Sequence, residues 1–509
     1  MLAKILSGAV VGLTPVPITV EVDISSNSLP SFTIVGLPDK AVEESKERVR
    51  AAIRNSGASF PDHRVTVNLA PADLPKAGPA YDLPIAVGIL IASGQLPPLT
   101  KEALFLGELS LDGTLRHTNA VLPITMMLKG NKTTNTCYVP LIDAKEAAVT
   151  GGIVVYPVPS LIGLFHHLTG TTKIIPQTHT DISLSASPSA FAFDFSDVAG
   201  QEQVKRALEI AAAGAHNVFM QGPPGAGKTM LARCLPSILP PMTEEEALEV
   251  TKIYSITGNL PPGESLVTFR PFRSPHHTTS RAGLIGGGAK LIPGEISLAH
   301  RGVLFIDELP ECPRHVLEAL RQPIEDGVVT ISRAAGSVQY PAKFMFVAAA
   351  NPCPCGNFRS VTRECTCLPA AVLRYQKRIS GPLMDRIDMH VHVPTVATEK
   401  LIGGGNAESS YIVRRRVQRA RARQWERLRK LGVSANAEMT TKQVKEYCPL
   451  TPDVREFMRH AVSRFSLSAR SYYRVIKVAQ TITDLCGGNT ITLPHVAEAL
   501  QYRAKDASV

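Results

Sequence analysis

Residues Gly222 to Met230, GPPGAGKTM, set small residues, a lysine and a hydroxyl in the order that holds a polyphosphate. Gly222, Gly225 and Gly227 let backbone N–H groups turn inward around phosphate oxygens, with Pro223, Pro224 and Ala226 completing the loop. Lys228 would reach the β- and γ-phosphates and Thr229 would ligate Mg2+, while the helix opening at Met230 adds positive potential at its N-terminus. Further on, 79 residues after Lys228 (307 − 228), GVLFIDEL ends in two acids. There Asp307 would hold Mg2+ through water and Glu308 would polarise an attacking water. Asn351, after KFMFVAAA, stands where a polar side chain can orient that water. Arg386, in SGPLMDRIDMHVHVP, lies between Asp385 and Asp388, either as a local ion pair or as an arginine finger. Between Asn351 and Arg386, NPCPCGNFRSVTRECTC packs Cys353, Cys355, Cys365 and Cys367 into two Cys-x-Cys pairs. Four sulfurs can hold one structural Zn2+ that staples the loop; the alternative is a set of free thiols.

These groups need strands that end where they begin. NVFMQ before the glycine loop, VLFI before the acids, FMFVAAA before Asn351 and MHVHV after Arg386 all read as short buried strands, and MLARCL after the loop reads as a helix. Upstream, residues 1–170 alternate strand-like runs (ITVEVDIS, SFTIVGL, HRVTVNLAP, CYVP, GIVVYPV) with helical stretches, an α/β domain. Residues 171–195 are rich in Ser, Thr and Pro and read as a linker, 196–395 as an α/β core and 396–509 as a helical domain. The opening MLAKILSGAVVGLTP resembles a short signal peptide, but strand alternation continues directly after it. Without an apolar run of about 18 residues, no membrane partner is expected and the location reads as cytoplasmic, with reduced cysteines. A net charge of +10 favours a polyanionic partner.

In this order the four elements resemble an AAA+ ATPase, which implies ATP and Mg2+. FSDVAGQEQVKRALEIAAAG is similar to that family's adenine-flanking segment, implying Val198, Ala199 and Gly200 as base contacts. LSARSYYRVIKVAQTI resembles its second sensor helix, implying Arg470 as a phosphate contact; an exposed helix arginine is the alternative. A finger at Arg386 that reaches a neighbouring copy makes hydrolysis depend on a ring. TTSRAGLIGGGAKLIPGEISLAHRGVLFIDEL resembles the hairpin insertion of magnesium chelatases and minichromosome maintenance helicases, and VVTISRAAGSVQYP reads as a second hairpin. Lys290 and Arg333 near the two tips would touch a DNA backbone or merely solubilise. VTVNLAPADLPKAGPAYDLPIAVG resembles a Lon-type peptidase domain, yet Ala80 follows Gly78-Pro79 where that family has its nucleophilic serine. No paired lysine is evident in GELSLDGTLRHTNAVLP, so peptidase chemistry is not expected.

This combination, with RPFRSPHHT and the cysteines, resembles the ComM/YifB family over nearly the whole chain. The resemblance implies a Lon-type α/β domain, a P-loop AAA+ core and an α-helical lid. It also implies a homo-oligomeric, hexameric ATPase that drives branch migration on single-stranded, forked or branched DNA during recombination or natural transformation. A magnesium-chelatase ATPase subunit or a protein-remodelling ATPase is the alternative. DISLS, Asp181 to Ser185, matches a chelatase-partner adhesion motif but sits in the linker with no α/β domain around it.

YIVRRRVQRARARQWERLRKLG carries eight arginines and one lysine against one glutamate. It is either a lid helix over Ile412, Val413, Val417, Ala420 and Leu428, or a phosphate-binding face beside Trp425. RPFRSPHHTTSR offers Arg270, Arg273, His276, His277 and Arg281 as polar contacts near the nucleotide or a pore.

Overall fold

The first apolar stretch pairs with the next one: β1 (Leu2–Val11) runs antiparallel to β2 (Thr14–Ser25) across a two-residue turn at Gly12. The computed structural model describes residues 2–25, 29–131, 133–180, 191–288, 291–333, 336–359, 363–396 and 407–503. Lys290 and the DISLS stretch lie outside these. The chain forms two compact units, one from Met1–Ser183 with Thr243–Val267, the other from Leu184–Met242 with Thr268–Val509.

In the first unit, β3 (Ser31–Val35), β4 (Arg64–Ala70), β5 (Leu104–Phe105), β8 (Thr136–Pro140) and β9 (Val154–Val158) extend the pair into a seven-stranded mixed sheet, ordered β3-β4-β2-β1-β5-β8-β9. A separate small hairpin joins β6 (Glu108–Leu109) to β7 (Leu115–Arg116). Alternation does the work in the sheet: Ile18, Val20 and Val22 on β2, and Val65, Val67 and Leu69 on β4, are all buried. Helix Lys40–Asn55 buries Val42, Val49, Ala52 and Ile53, and its Asp39 cap accepts from the Val42 N–H at 2.9 Å. Gly78-Pro79-Ala80 leads into helix Asp82–Ala92, which is apolar on every side and buried throughout. Its one carboxylate, Asp82, accepts from Ser45, from Arg48 Nε at 2.7 Å and from the Leu109 N–H at 3.2 Å. The stretch that resembles a peptidase active-site segment is thus occupied by a satisfied structural ion pair.

The division differs from the sequence reading at 243–267, there counted with the core. Helix Glu244–Thr257, opened by a Thr243/Glu246 capping box, buries Ala247, Val250 and Ile253 within the first unit. Ser255 Oγ donates to Glu146 Oε1 at 2.6 Å, and its carbonyl accepts from the Ala120 N–H at 3.0 Å. Arg270 closes the excursion at its root, donating to the carbonyls of Pro240 (2.7 Å), Pro241 (3.2 Å) and Arg301 (2.7 Å).

The second unit is built on β10 (Val218–Gln221), β11 (Phe272–Arg273), β14 (Val303–Ile306), β17 (Met345–Ala350) and β18 (Met389–His392). They form a wholly parallel sheet ordered β11-β14-β17-β10-β18. β10, first in sequence, lies between the last two, so the crevice beyond its C-terminal end opens at a topological switch point. Two antiparallel hairpins stand outside the sheet: β12 (Gly286–Gly287) with β13 (Ile292–Pro293), and β15 (Val328–Arg333) with β16 (Gly336–Pro341). Residues 407–503 are helical, with Ser410–Leu428 and Ala469–Leu485 the longest helices. They share one apolar core with the sheet: Met220, Leu231 and Val347 belong to the same cluster as Val417, Val475 and Ile482.

Candidate functional site

The glycine loop follows β10 at that crevice, and helix Lys228–Ile238 begins from Gly227 at φ 84°. Gly222 is required by close approach, because a Cβ there would lie 2.1 Å from the Val393 carbonyl oxygen. Lys228 is buried, and its ammonium donates to the Gly222 carbonyl (2.7 Å), the Pro223 carbonyl (2.8 Å) and Asn351 Oδ1 (3.1 Å). Burial pulls it below the ordinary lysine range, while Asp307 and Glu308 act in the opposite sense. Thr229 Oγ1 donates to Asp307 Oδ2 at 2.6 Å, bringing together two oxygens suited to a hard divalent cation. Residues that follow β10, β14 and β17 therefore meet at one point. A buried ammonium turned onto loop carbonyls, with a hydroxyl and a carboxylate beside it, fits a nucleotide's phosphates and Mg2+.

Glu308 is exposed and left-handed, at φ 49°, and its N–H donates to Asp307 Oδ1 at 2.9 Å. Bulky residues avoid that region, so the backbone is strained where the proposed base stands. His277 Nδ1 lies 3.6 Å from Glu308 Oε2, which locates one histidine of RPFRSPHHT at the site. His276 turns instead to Thr278, and Arg273 makes a bidentate pair with Glu295 at 2.6 and 2.7 Å. Arg281 opens helix Arg281–Ile285. Of the adenine-flanking residues, Val198 is buried, its carbonyl accepting from Lys205 Nζ at 2.6 Å; Ala199 is half-buried and Gly200 takes φ 61°. Gln201, which the sequence did not single out, ties this segment to the Ala226 and Pro394 carbonyls at 3.3 and 2.6 Å.

Arg386 and Arg470 form a second cluster. Arg386 Nη2 pairs with Glu325 Oε2, Arg386 Nη1 donates to the Pro382 carbonyl at 2.7 Å, and Arg470 Nη2 donates to Glu325 Oε1 at 2.7 Å. Among the described residues no hydrogen bond joins either arginine to Lys228, Thr229, Asp307 or Asn351. The flanking Asp385 and Asp388 are not Arg386's partners. Asp388 instead accepts from the Asn217 N–H at 2.9 Å and lies 3.5 Å from Arg474 and 3.7 Å from His216. Burial opposes its charge, but His216 and Arg474 hold the carboxyl well below the usual carboxylate range. Asn217 also donates to the Arg386 carbonyl and accepts from the Phe346 N–H, at 3.2 and 2.8 Å.

The four cysteine sulfurs lie within 4.8 Å of one another, with separations of 3.4 Å (Cys353–Cys355), 3.7 Å (Cys353–Cys365) and 3.6 Å (Cys355–Cys365). A Zn2+ tetrahedron with ~2.3 Å arms has edges of about 3.8 Å, so the donor set fits. The Phe358 N–H donates to Cys353 Sγ at 3.3 Å, and the Asn357 N–H holds the Cys355 thiol below the ordinary thiol range. The loop bears on the phosphate cradle: a Cβ on Gly356 would lie 2.4 Å from Pro224 Cδ.

The basic helix is chiefly a lid helix. Arg416 bonds Glu209 and Glu408, Arg421 the Ala212 carbonyl, Arg423 the Gly488 carbonyl and Arg427 Asp484. Val413, Val417, Ala420 and Leu428 are buried beneath it, as expected. Ile412 is a correction: it is 48% exposed, since its turn places it one position off the buried stripe. Arg333 pairs with Gly336 across the hairpin end by backbone register. An open cavity of about 530 Å3 is lined by Glu311, Arg314, Arg374, Lys377 and Arg378 among others, and none of the phosphate-cradle residues lines it.

The parallel sheet, with the glycine loop after β10 and acids after β14, is the arrangement of an AAA+ ATPase, and its magnesium-chelatase type comes from comparison with known families. Family profiles agree in kind: "Magnesium chelatase, subunit ChlI" matches residues 194–401, "Subunit ChlI of Mg-chelatase" 20–141, and "Magnesium chelatase, subunit ChlI C-terminal" 407–503. The chain is 42% identical over 506 residues to "Competence protein ComM" of Haemophilus influenzae, covering 99% of this chain and 97% of that one. It is 44% identical over 514 residues to YifB of Salmonella typhimurium, covering 99% and 97%. The magnesium-chelatase 38 kDa subunit of Rhodobacter capsulatus is 28% identical over 189 residues, 33% of this chain and 53% of that one. This chain belongs to the ComM/YifB family of magnesium-chelatase-like AAA+ ATPases. Among the described residues no helix is long and apolar enough to cross a membrane.

Proposed function

We propose that the chain is an ATP-dependent DNA motor that works as a ring of identical copies, a hexamer, and drives migration of branched DNA in the cytosol. The observation that carries the hydrolytic part is the convergence of Lys228, Thr229, Asp307 and Asn351 at the end of β10, with Glu308 beside them. Val198 to Gly200 flank the base, and Gly222 to Met230 cradle the phosphates. Lys228 exchanges its loop carbonyls for β- and γ-phosphate oxygens. Thr229 and Asp307 would hold Mg2+, which supplies charge neutralisation on those oxygens. Asn351 orients a water in line with the γ-phosphorus, and Glu308 accepts its proton as the bond to the β-phosphate bridging oxygen breaks, giving ADP and phosphate. Arg386 and Arg470 serve the nucleotide of a neighbouring copy.

The DNA part rests on the net charge of +10, on the two hairpins and on similarity to a protein named for competence. Arg333, at the end of β15, and Lys290, which the sequence puts between β12 and β13, would grip the phosphate backbone without reading sequence. Cys353, Cys355, Cys365 and Cys367 would hold one structural Zn2+. The deciding experiment is ATP-driven dissociation of synthetic forked and four-way DNA by the full chain, with Lys228→Ala as control. Dissociation by wild type alone is expected; no DNA binding at low salt would sink the motor reading. Chelatase-named profiles along the chain favour a second reading, a magnesium-chelatase-type ATPase subunit, which porphyrin-stimulated hydrolysis would reveal.

A further inference from the structure

Glu325 stands at a meeting of three elements. It lies in the last turn of helix Arg321–Asp326, three residues before β15 begins. The chain just after it is held at Gly327, whose N–H caps the helix onto the Pro323 carbonyl at 3.0 Å and whose carbonyl accepts from the Ala342 N–H at 2.8 Å. One carboxylate oxygen takes Arg386, from the loop before β18; the other takes Arg470, from the first turn of helix Ala469–Leu485. Two guanidiniums on one carboxylate leave a cluster with one net positive charge, so it can still attract an anion. Arg386 is the more fixed partner, with 12% of its side chain exposed against 48% for Arg470. Its Nε is buried without a hydrogen-bond acceptor among the described residues. The same holds for Nε of Arg427 in the lid, so what sets Arg386 apart is its shared carboxylate and not this atom.

We propose that Glu325 is a positioning residue that holds Arg386 and Arg470 together as one unit for a single phosphate. Without its charge, two like-charged groups on separate elements repel and swing apart. With it, they are presented jointly, so that an incoming phosphate meets two guanidiniums at once. Among the described residues the pair is bonded to none of Lys228, Thr229, Asp307 and Asn351, and on the proposed function the phosphate it serves is on a neighbouring copy. This rests on the proposed role of Arg386 between subunits.

The test is steady-state ATP hydrolysis by the full-length chain carrying Glu325→Gln or Glu325→Asp, alongside Arg386→Ala and the double variant Arg386→Ala/Arg470→Ala. Glu325→Gln is expected to lower kcat about tenfold while leaving the KM for ATP within about twofold, because ground-state binding belongs to the other cluster. Glu325→Asp, with its charge retained, should recover part of that loss. Adding Glu325→Gln to the double variant should cost nothing further, since the residues it positions are gone. A kcat unchanged or raised in Glu325→Gln, while Arg386→Ala loses turnover, would overturn the positioning role alone. Full turnover by Arg386→Ala would instead overturn the inter-subunit reading beneath it. A loss that persists equally in the double-variant background would mark Glu325 as merely structural and also reject the proposal.

Discussion

Glu308 combines an exposed carboxylate with a left-handed backbone, next to an aspartate already engaged with Thr229. That division of labour makes the two acids separable. Glu308→Gln keeps the shape and the Asp307–Thr229 pair but cannot accept a proton. Turnover should fall by ~10²–10⁴-fold with nucleotide binding intact, measured as phosphate release against binding of a fluorescent ATP analogue. Comparable loss of binding would place Glu308 in the ground-state contacts instead. Lys228, Thr229, Asp307 and Glu308 were legible in sequence because their roles follow from short local patterns between a strand and what comes after it. Glu325, Asn217 and Gln201 were not, because each acts through a partner far away in the chain: Asn217 bonds Phe346 and Asp388. Nothing in a lone glutamate before a hairpin announces two arginines.

At the scale of elements, the cysteine loop and the 243–267 excursion carry the clearest consequences. The loop touches the phosphate cradle through Gly356 and Pro224, so its metal is expected to matter to nucleotide binding. Metal analysis of freshly purified, reduced chain should find one zinc per copy. Cys353→Ser should lose it and raise the KM for ATP, by roughly tenfold, because a cradle displaced by a fraction of an ångström binds phosphate poorly. Zinc-free wild type with normal turnover would reject the staple. The excursion is held by a buried carboxyl: Glu146 accepts from Ser255 Oγ at 2.6 Å and from the Leu122 N–H at 2.8 Å. Burial first, and then the nearby Asp143 charge, push it up to about 7, against the pull of Ser255, Leu122 and His117. Between an unfolded value near ~4.3 and that folded value, the native chain keeps a proton that the unfolded chain has released. Its contribution is therefore full below ~4.3 and is lost progressively as pH rises to about 7, a change on the order of 4 kcal/mol. His117, raised chiefly by its bond to Asp143, adds a slope of the same sign. Glu146→Gln preserves both hydrogen bonds and removes the charge. Hydrogen exchange in helix Glu244–Thr257, corrected for intrinsic rate, should lose part of its protection as pH rises from ~4.3 to about 7 in wild type and not in the variant. Equal profiles would show that Glu146 is not what holds the helix.

Over the whole molecule, two compact units arise from a chain that passes between them more than once, leaving the second at Met242 and returning at Thr268. The amino-acid sequence by itself determined the α/β class of the first unit, the strand–loop–helix at Gly222 to Met230, the acids after β14, the helical character of residues 407–503 and the four clustered thiols. Period-2 and period-3.6 patterns, and motifs a few residues long, are local properties that survive without a partner. Only the tertiary structure decided that 243–267 packs in the first unit, that Arg416, Arg421, Arg423 and Arg427 serve the lid, and that Arg386 and Arg470 share Glu325. An arginine's charge is visible in one dimension, but its counter-charge lies wherever the fold delivers one. In this chain that distance in sequence is 61 residues for Arg386 and 145 for Arg470.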